Sequence, residues 1–110
     1  MASSSNRPAS DRLAPPATVP GNPYDQTPYP DLSYVHTHPD RLATLATLLG
    51  LKPPPVASCR LLEIGCAAGG NLLPMAYGIP GGDFVGIDYS ARQIEEGHRR
   101  IGELGLRNIR

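Results

Sequence analysis

Two short apolar runs, each closing on a polar loop, constrain this chain more than any other feature. The block LLEIGCAAGGNLLPMA, Leu61 to Ala76, passes from aliphatic residues through Glu63 into a loop of glycine, cysteine and alanine. The block FVGIDYS, Phe84 to Ser90, is a second apolar run ending at Asp88. A short apolar run followed at once by glycine reads as a buried parallel strand, so strands are expected at Arg60–Ile64 and Phe84–Asp88. Between them a helix is expected from Gly69 or Gly70 to about Tyr77. Pro74 must lie in its first turn, because deeper in the helix it would kink it. Ile79 to Asp83, around Pro80-Gly81-Gly82, reads as a turn. Ser90 and Gln93 form an S-x-x-Q capping box that opens the next helix. Its inward stripe is read as Ile94, Gly97, His98, Ile101 and Leu104, and Gly105 ends it. Leu106 to Arg110 would lead into a third strand. Strands alternating with helices predict an α/β fold, the amino-terminal half of a Rossmann-like, doubly wound parallel sheet.

The sequence before this unit divides in two. Residues 1–38 form an amino-terminal arm, and residues 39–110 a partial ligand-binding domain. Eight of the thirteen prolines fall by Pro39, and a segment so poor in aliphatics cannot offset its ordering entropy, so disorder is expected to about Pro20. Tyr24 to Asp40 differs. It holds three of the five tyrosines, and it is read as extended chain that packs against the domain. A helix begins at Pro39, where a missing N–H costs nothing. Leu42, Leu45, Ala46 and Leu49 give it one apolar stripe, Gly50 stops it, and Pro53-Pro54-Pro55 forms a stiff connector.

With ten basic and ten acidic residues the net charge is zero, and the basic residues are scattered. Neither a nucleic-acid nor a membrane partner is expected. The adjacent pair Arg99 and Arg100 reads as a solvated helix face. Two cysteines, Cys59 and Cys66, make neither a disulfide framework nor a zinc site. They fit a reducing, cytoplasmic setting. The sequence MASSSNRPAS has no apolar core of a secretory signal.

In open α/β sheets, ligands bind at the carboxyl ends of the strands. Glu63, the loop Gly65 to Gly70, and Asp88 all fall there. Asp88 lies about 20 residues past the loop, where an acid accepts hydrogen bonds from ribose hydroxyls. That arrangement is common to NAD and S-adenosylmethionine sites. The NAD pattern G-x-G-x-x-G would use Gly65, Ala67 and Gly70. The acid-x-G-x-G-x-G pattern would use Glu63, Gly65, Ala67 and Gly69. Both lose their middle glycine to alanine. Glu63 separates them, since its carboxylate repels a pyrophosphate but favours the ammonium and sulfonium of S-adenosylmethionine.

EIGCAAGGN followed by GIDYSARQI resembles motifs one and two of the class I S-adenosylmethionine-dependent methyltransferases. With YDQTPYP, THPDRLATLATLLG and NLLPMA, the resemblance narrows to bacterial methyltransferases that carry a methyltransferase regulatory domain. That group includes protein-lysine methyltransferases. By this resemblance Glu63 orients the methionine end of the cofactor, and Gly65, Cys66, Ala67 and Gly69 surround it with backbone. Asp88 holds the ribose, Tyr89 stacks near the adenine, and Asn71 starts a helix that steadies the loop. The resemblance also implies about seven strands, of which two and the start of a third are present. The expectation is therefore an amino-terminal fragment, poorly folded and inactive by itself, with both sheet edges unpaired and no assignable catalytic residue. A methyl acceptor is the implied partner, a protein lysine by preference. Oligomeric state is left unassigned. The alternatives are a non-catalytic S-adenosylmethionine or nucleotide-binding fragment, an NAD-dependent oxidoreductase fragment, and an interaction module built on the arm.

Other side chains receive plainer readings. Cys66 has no basic neighbour in sequence to activate it as a nucleophile. His36 and His38 lack the cluster a metal needs. His38 is read as helix-start chemistry and His98 as structural. The arm tyrosines either pack or cover the cofactor or substrate groove, with packing favoured.

Overall fold

A computed structural model describes residues 21–110. The disorder expected before Pro20 lies outside the described residues. A short α1 (Pro23–Gln26) and a 3-10 turn (Val35–Thr37) precede α2 (Pro39–Leu48). A second 3-10 turn (Val56–Ser58) leads into β1 (Arg60–Ile64), α3 (Leu72–Gly78), β2 (Asp83–Ile87) and α4 (Ala91–Leu104).

The helix ends have local chemical causes. Pro39 opens α2, and the Asp40 amide donates to His38 Nδ1 at 3.2 Å. Past its end Gly50 takes φ +80°, and the amides of Gly50 and Leu51 bond back to Thr47 and Ala46, closing the orphan carbonyls. Pro74 is the third residue of α3, in the first turn as its chemistry demands. At α4 only half of the capping box forms. The Gln93 amide donates to Ser90 Oγ at 3.3 Å, while the Ser90 amide is taken by Asp88 Oδ1 at 2.8 Å. Gly105, at φ +65°, ends α4.

β1 and β2 pair in parallel, with Leu61 opposite Phe84 and Glu63 opposite Gly86. The second strand begins one residue earlier than expected, so Asp88 stands just past its end rather than within it. The last residues join the free side of β2. The Phe84 amide donates to Asn108 O at 2.8 Å, the Arg110 amide to Phe84 O at 3.0 Å, and Phe84 bridges Ile109 in parallel. β2 therefore has neighbours on both sides over part of its length, as expected if Leu106 to Arg110 leads into a third strand. The Asn108 side chain also donates to the carbonyls of Ala76 and Ile79, tying this segment to the end of α3.

Side chains alternate across a sheet. Phe84 and Leu61 point to the face covered by α3, where Phe84, Leu72, Met75, Ala76, Ile79 and Cys59 form the core. Phe84 is wholly buried, and burying such a side chain stabilises by about 1.5–3 kcal/mol. The opposite face carries Leu62, Ile64 and Ile87, with Ile64 77% exposed. The strands were expected to be buried on both faces. The bare face follows from topology: the segments after β1 and after β2 both return to the Phe84 side. α2 differs similarly. Its expected stripe residues Leu42, Leu45 and Leu49 are exposed, and the less accessible side of the helix is Pro39, Ala43 and Ala46. α4 buries Gln93 and Gly97, half-buries Ile94 and Ile101, and leaves His98 and Leu104 exposed. Gly97 lets the helix lie against the Ala68 carbonyl, which an added Cβ would meet at 3.4 Å.

Candidate functional site

The loop after β1 wraps the carboxyl ends of both strands. Its turn is set where the amides of Gly65 and Cys66 both donate to Ile87 O, at 2.7 and 3.1 Å. Every second residue is then left-handed: Gly65 at φ +78°, Ala67 at +49° and Gly69 at +84°. Ala67 is the one described non-glycine residue at positive φ. It occupies the position where the motif has glycine, so the departure noted in the sequence is a point of backbone strain, typically costing about 1–2 kcal/mol.

Asp88 organises the loop from the side. Its Oδ2 accepts from the Ala67 amide at 2.8 Å and its Oδ1 from the Ser90 amide. A carboxylate has about four acceptor positions, so capacity remains on the pocket side. Glu63 lies behind the loop. Its Oε1 accepts from Asn71 Nδ2 at 2.8 Å, and its Oε2 is buried with no partner among the described residues. Asn71 stands at the start of α3, as expected, but its side chain makes no capping bond there. It instead bridges Glu63 to the arm, donating to Thr37 Oγ1 at 3.0 Å and accepting from the Tyr34 amide at 2.7 Å.

Gly65, Ala67, Asp88 and Tyr89 line one pocket of about 480 Å³, and Tyr24 and Tyr29 of the arm complete its wall. Glu63, Cys66 and Gly69 fall outside that lining; Cys66 and Gly69 form the loop's inner side, toward α3 and α4. Tyr89 is 70% exposed and meets the edge of Tyr24 with ring centroids 6.5 Å apart. Burial, together with the Asp88 and Glu63 charges, pushes the Cys66 thiol up to about 11. It is thus a protonated packing group at neutral pH rather than a nucleophile.

The arm supplies residues that motif reading missed. Asp25 accepts from the Ser90 hydroxyl, and its carbonyl accepts from Arg92 at 3.0 Å. Asp31 accepts from the Gly70 amide at 2.6 Å and pairs with Arg100. Among the described residues Arg99 pairs with Glu96 and Glu103 on an exposed face, as a solvated helix predicts, but Arg100 reaches across to the arm. The available signal was the presence of acids among the tyrosines of YDQTPYPDLSY. Among the described residues no group of three potential metal ligands is clustered, and no helix is long and apolar enough to cross a membrane.

Residues 55–110 match the family described as methyltransferase domain. The chain belongs to the methyltransferase domain family. An uncharacterised protein of Rickettsia prowazekii strain Madrid E is 50% identical over 88 residues, 80% of this chain and 16% of that protein. A tRNA (guanine-N(7)-)-methyltransferase of Chloroflexus aggregans is 34% identical over 97 residues, 86% of this chain and 40% of its own length. Among solved structures, PKMT2 from Rickettsia typhi in complex with AdoHcy superposes with a TM-score of 0.70 at 38% identity. That match covers 74% of this chain and 16% of PKMT2. The chain therefore spans between 16% and 40% of the length of these relatives. The PKMT2 likeness bears out the Rossmann-like reading of the fold.

Proposed function

We propose that this methyltransferase domain binds S-adenosylmethionine in the pocket between the glycine loop, Asp88 and the arm, and serves methyl transfer to a protein lysine. The observation that carries the reading is Asp88, which lines the pocket and holds the Ala67 amide of the glycine loop; behind the loop, outside the pocket lining, Glu63 keeps a buried Oε2 with no partner among the described residues. A buried carboxylate oxygen without a donor costs free energy, and a ligand that brings N–H groups or ordered water relieves it. Asp88 adds a second carboxylate to the same strand ends. Such a site suits a cofactor bearing an ammonium and a sulfonium and opposes a pyrophosphate, which disfavours the NAD reading.

Glu63 would hold the methionine end, and backbone from Gly65, Cys66, Ala67 and Gly69 would surround it. Spare acceptor positions of Asp88 would take the ribose hydroxyls, and the open ring of Tyr89 would lie against the adenine. When bound, the cofactor supplies an electrophilic methyl group. The chain's own residues hold and orient it, and the rate then depends on aligning the acceptor nucleophile. No residue of this chain is assigned to acceptor chemistry. The 110 residues alone are proposed to be inactive and the protein cytoplasmic, the latter supported by two free cysteines. Similarity to PKMT2 supports lysine as acceptor, and the zero net charge favours a protein over a nucleic acid.

Titration calorimetry on the full protein tests this. S-adenosylmethionine should bind in preference to NADH, and Glu63→Gln should weaken it about 10- to 100-fold, the value of a hydrogen bond to a charged group. Tighter binding of NADH, or an unchanged Kd in Glu63→Gln, would overturn the assignment.

A further inference from the structure

The arm is bound at the place where the glycine loop turns into α3. Asp31 uses both carboxylate oxygens there. Oδ1 accepts the Gly70 amide at 2.6 Å, and Oδ2 pairs with Arg100 of α4. The side chain is only 21% accessible, so this contact is screened less than a surface ion pair. Gly70 is shaped to the contact. A Cβ at Gly70 would meet the Asp31 carbonyl oxygen at 2.8 Å, and no positive φ requires glycine at that position. Asp31 is two residues from Tyr29, which walls the pocket with Tyr24 opposite Ala67 and Asp88. At the far end of the same segment, Asp25 is held by the Ser90 hydroxyl. Ser90 also donates its amide to Asp88. Both anchors of the arm thus grip the two pieces of backbone that shape the pocket: the glycine loop and the turn after β2.

We propose that Asp31 is a positioning residue that latches the arm across the pocket, so that Tyr24 and Tyr29 retain the bound cofactor. This rests on the cofactor reading above. The latch acts on two things at once. It fixes the Gly70 amide, and with it the path of the loop, and it holds the tyrosine wall shut. Retention predicts a specific kinetic signature. Loss of the latch speeds cofactor dissociation while association changes little, because an open arm obstructs nothing.

The test is stopped-flow and calorimetric binding of S-adenosylhomocysteine to the full protein, with limited proteolysis reporting arm release. Asp31→Ala should raise Kd about 10-fold or more, chiefly through a faster off-rate, because it removes a hydrogen bond to a charged group. Asp31→Asn keeps an acceptor for the Gly70 amide and should recover part of that loss. Arg100→Gln should raise Kd about 2- to 5-fold, the range of a partly exposed ion pair. Arg99→Gln, next in sequence but paired, among the described residues, within its own helix, should leave Kd unchanged. Gly70→Ala attacks the latch from the other side and should act like Asp31→Ala, the double variant losing less than the product of the two. If Asp31→Ala and Gly70→Ala release the arm to protease yet leave Kd and off-rate unchanged, the arm merely packs and the latch is wrong. If the unaltered protein binds no S-adenosylhomocysteine, the cofactor reading itself fails and the latch with it.

Discussion

The two faces of the sheet carry similar apolar residues and meet opposite fates. On one, Phe84 is wholly enclosed by α3 and its neighbours; on the other, Ile64 and Leu62 lie open. Composition cannot explain the difference, since Leu61 and Leu62 are the same residue one step apart. Parity and connection explain it. Side chains alternate along each strand, and the helices after β1 and β2 return to one side. The closed face holds the strands in register. That register brings Glu63, the loop and Asp88 together, so the site depends on the enclosed side.

The comparison is most easily broken by substitution in the core. Phe84→Ala should cost about 3–5 kcal/mol in chemical denaturation, the range for deleting a buried aromatic ring. Ile64→Ala on the bare face should cost under about 1 kcal/mol, because little burial is lost. Equal costs would mean that both faces are covered in solution. The loop side offers a second contrast. With its thiol raised from 9.0 to about 11, Cys66 carries roughly 100-fold less thiolate at pH 8 than an unshifted thiol. Alkylation followed by mass spectrometry should be correspondingly slow in the folded state and should rise as pH approaches 11. The sign for stability is the same: unfolding restores the lower value, so stability falls as pH climbs above 9. Rapid modification at pH 8 would show that the loop opens.

Asn71 links the enclosed side to the arm. Asn71→Ala leaves Glu63 without its one described donor and should lower stability by about 1–3 kcal/mol, the cost of an unsatisfied buried polar group. Asn71→Asp sets a second carboxylate against Glu63 and should be worse at neutral pH. Thermal melts of the two variants would rank them, and the reverse order would remove Asn71 from the network that positions Glu63.

What could be read from the sequence was what local chemistry dictates. Pro39, Gly50, Ser90 and Gly105 mark their helix ends through dihedral limits and caps, which need no tertiary partner. The two strands and the carboxylates at their ends follow from short apolar runs beside glycine. The facing of α2 and the outer half of α4 was misjudged, because period alone identifies an apolar stripe but not whether anything packs on it. Leu45 is exposed for lack of a neighbour, not for lack of hydrophobicity. The arm was illegible for another reason. Asp25 and Asp31 act through partners 65 and 69 residues away in sequence, and no spacing rule links residues that distant.

A small effect of opposite sign is expected at Ala67, where the enclosed side carries its strain. Its φ of +49° is cheap for glycine and strained for alanine, so Ala67→Gly should relieve about 1–2 kcal/mol. Glycine also frees the unfolded chain, costing about 0.4–1 kcal/mol. The net gain should therefore lie between zero and about 1.6 kcal/mol in denaturation, because the two effects oppose each other. Removing the methyl group also widens the pocket wall beside Asp88, so cofactor Kd should fall or stay level. Ala67→Val is the informative opposite, because branching at Cβ sharpens the clash at positive φ and should lower both stability and affinity. If Ala67→Gly instead weakened cofactor binding, the Ala67 methyl group would be a contact surface for the ligand. The alanine would then be a feature of this site rather than a tolerated departure from glycine.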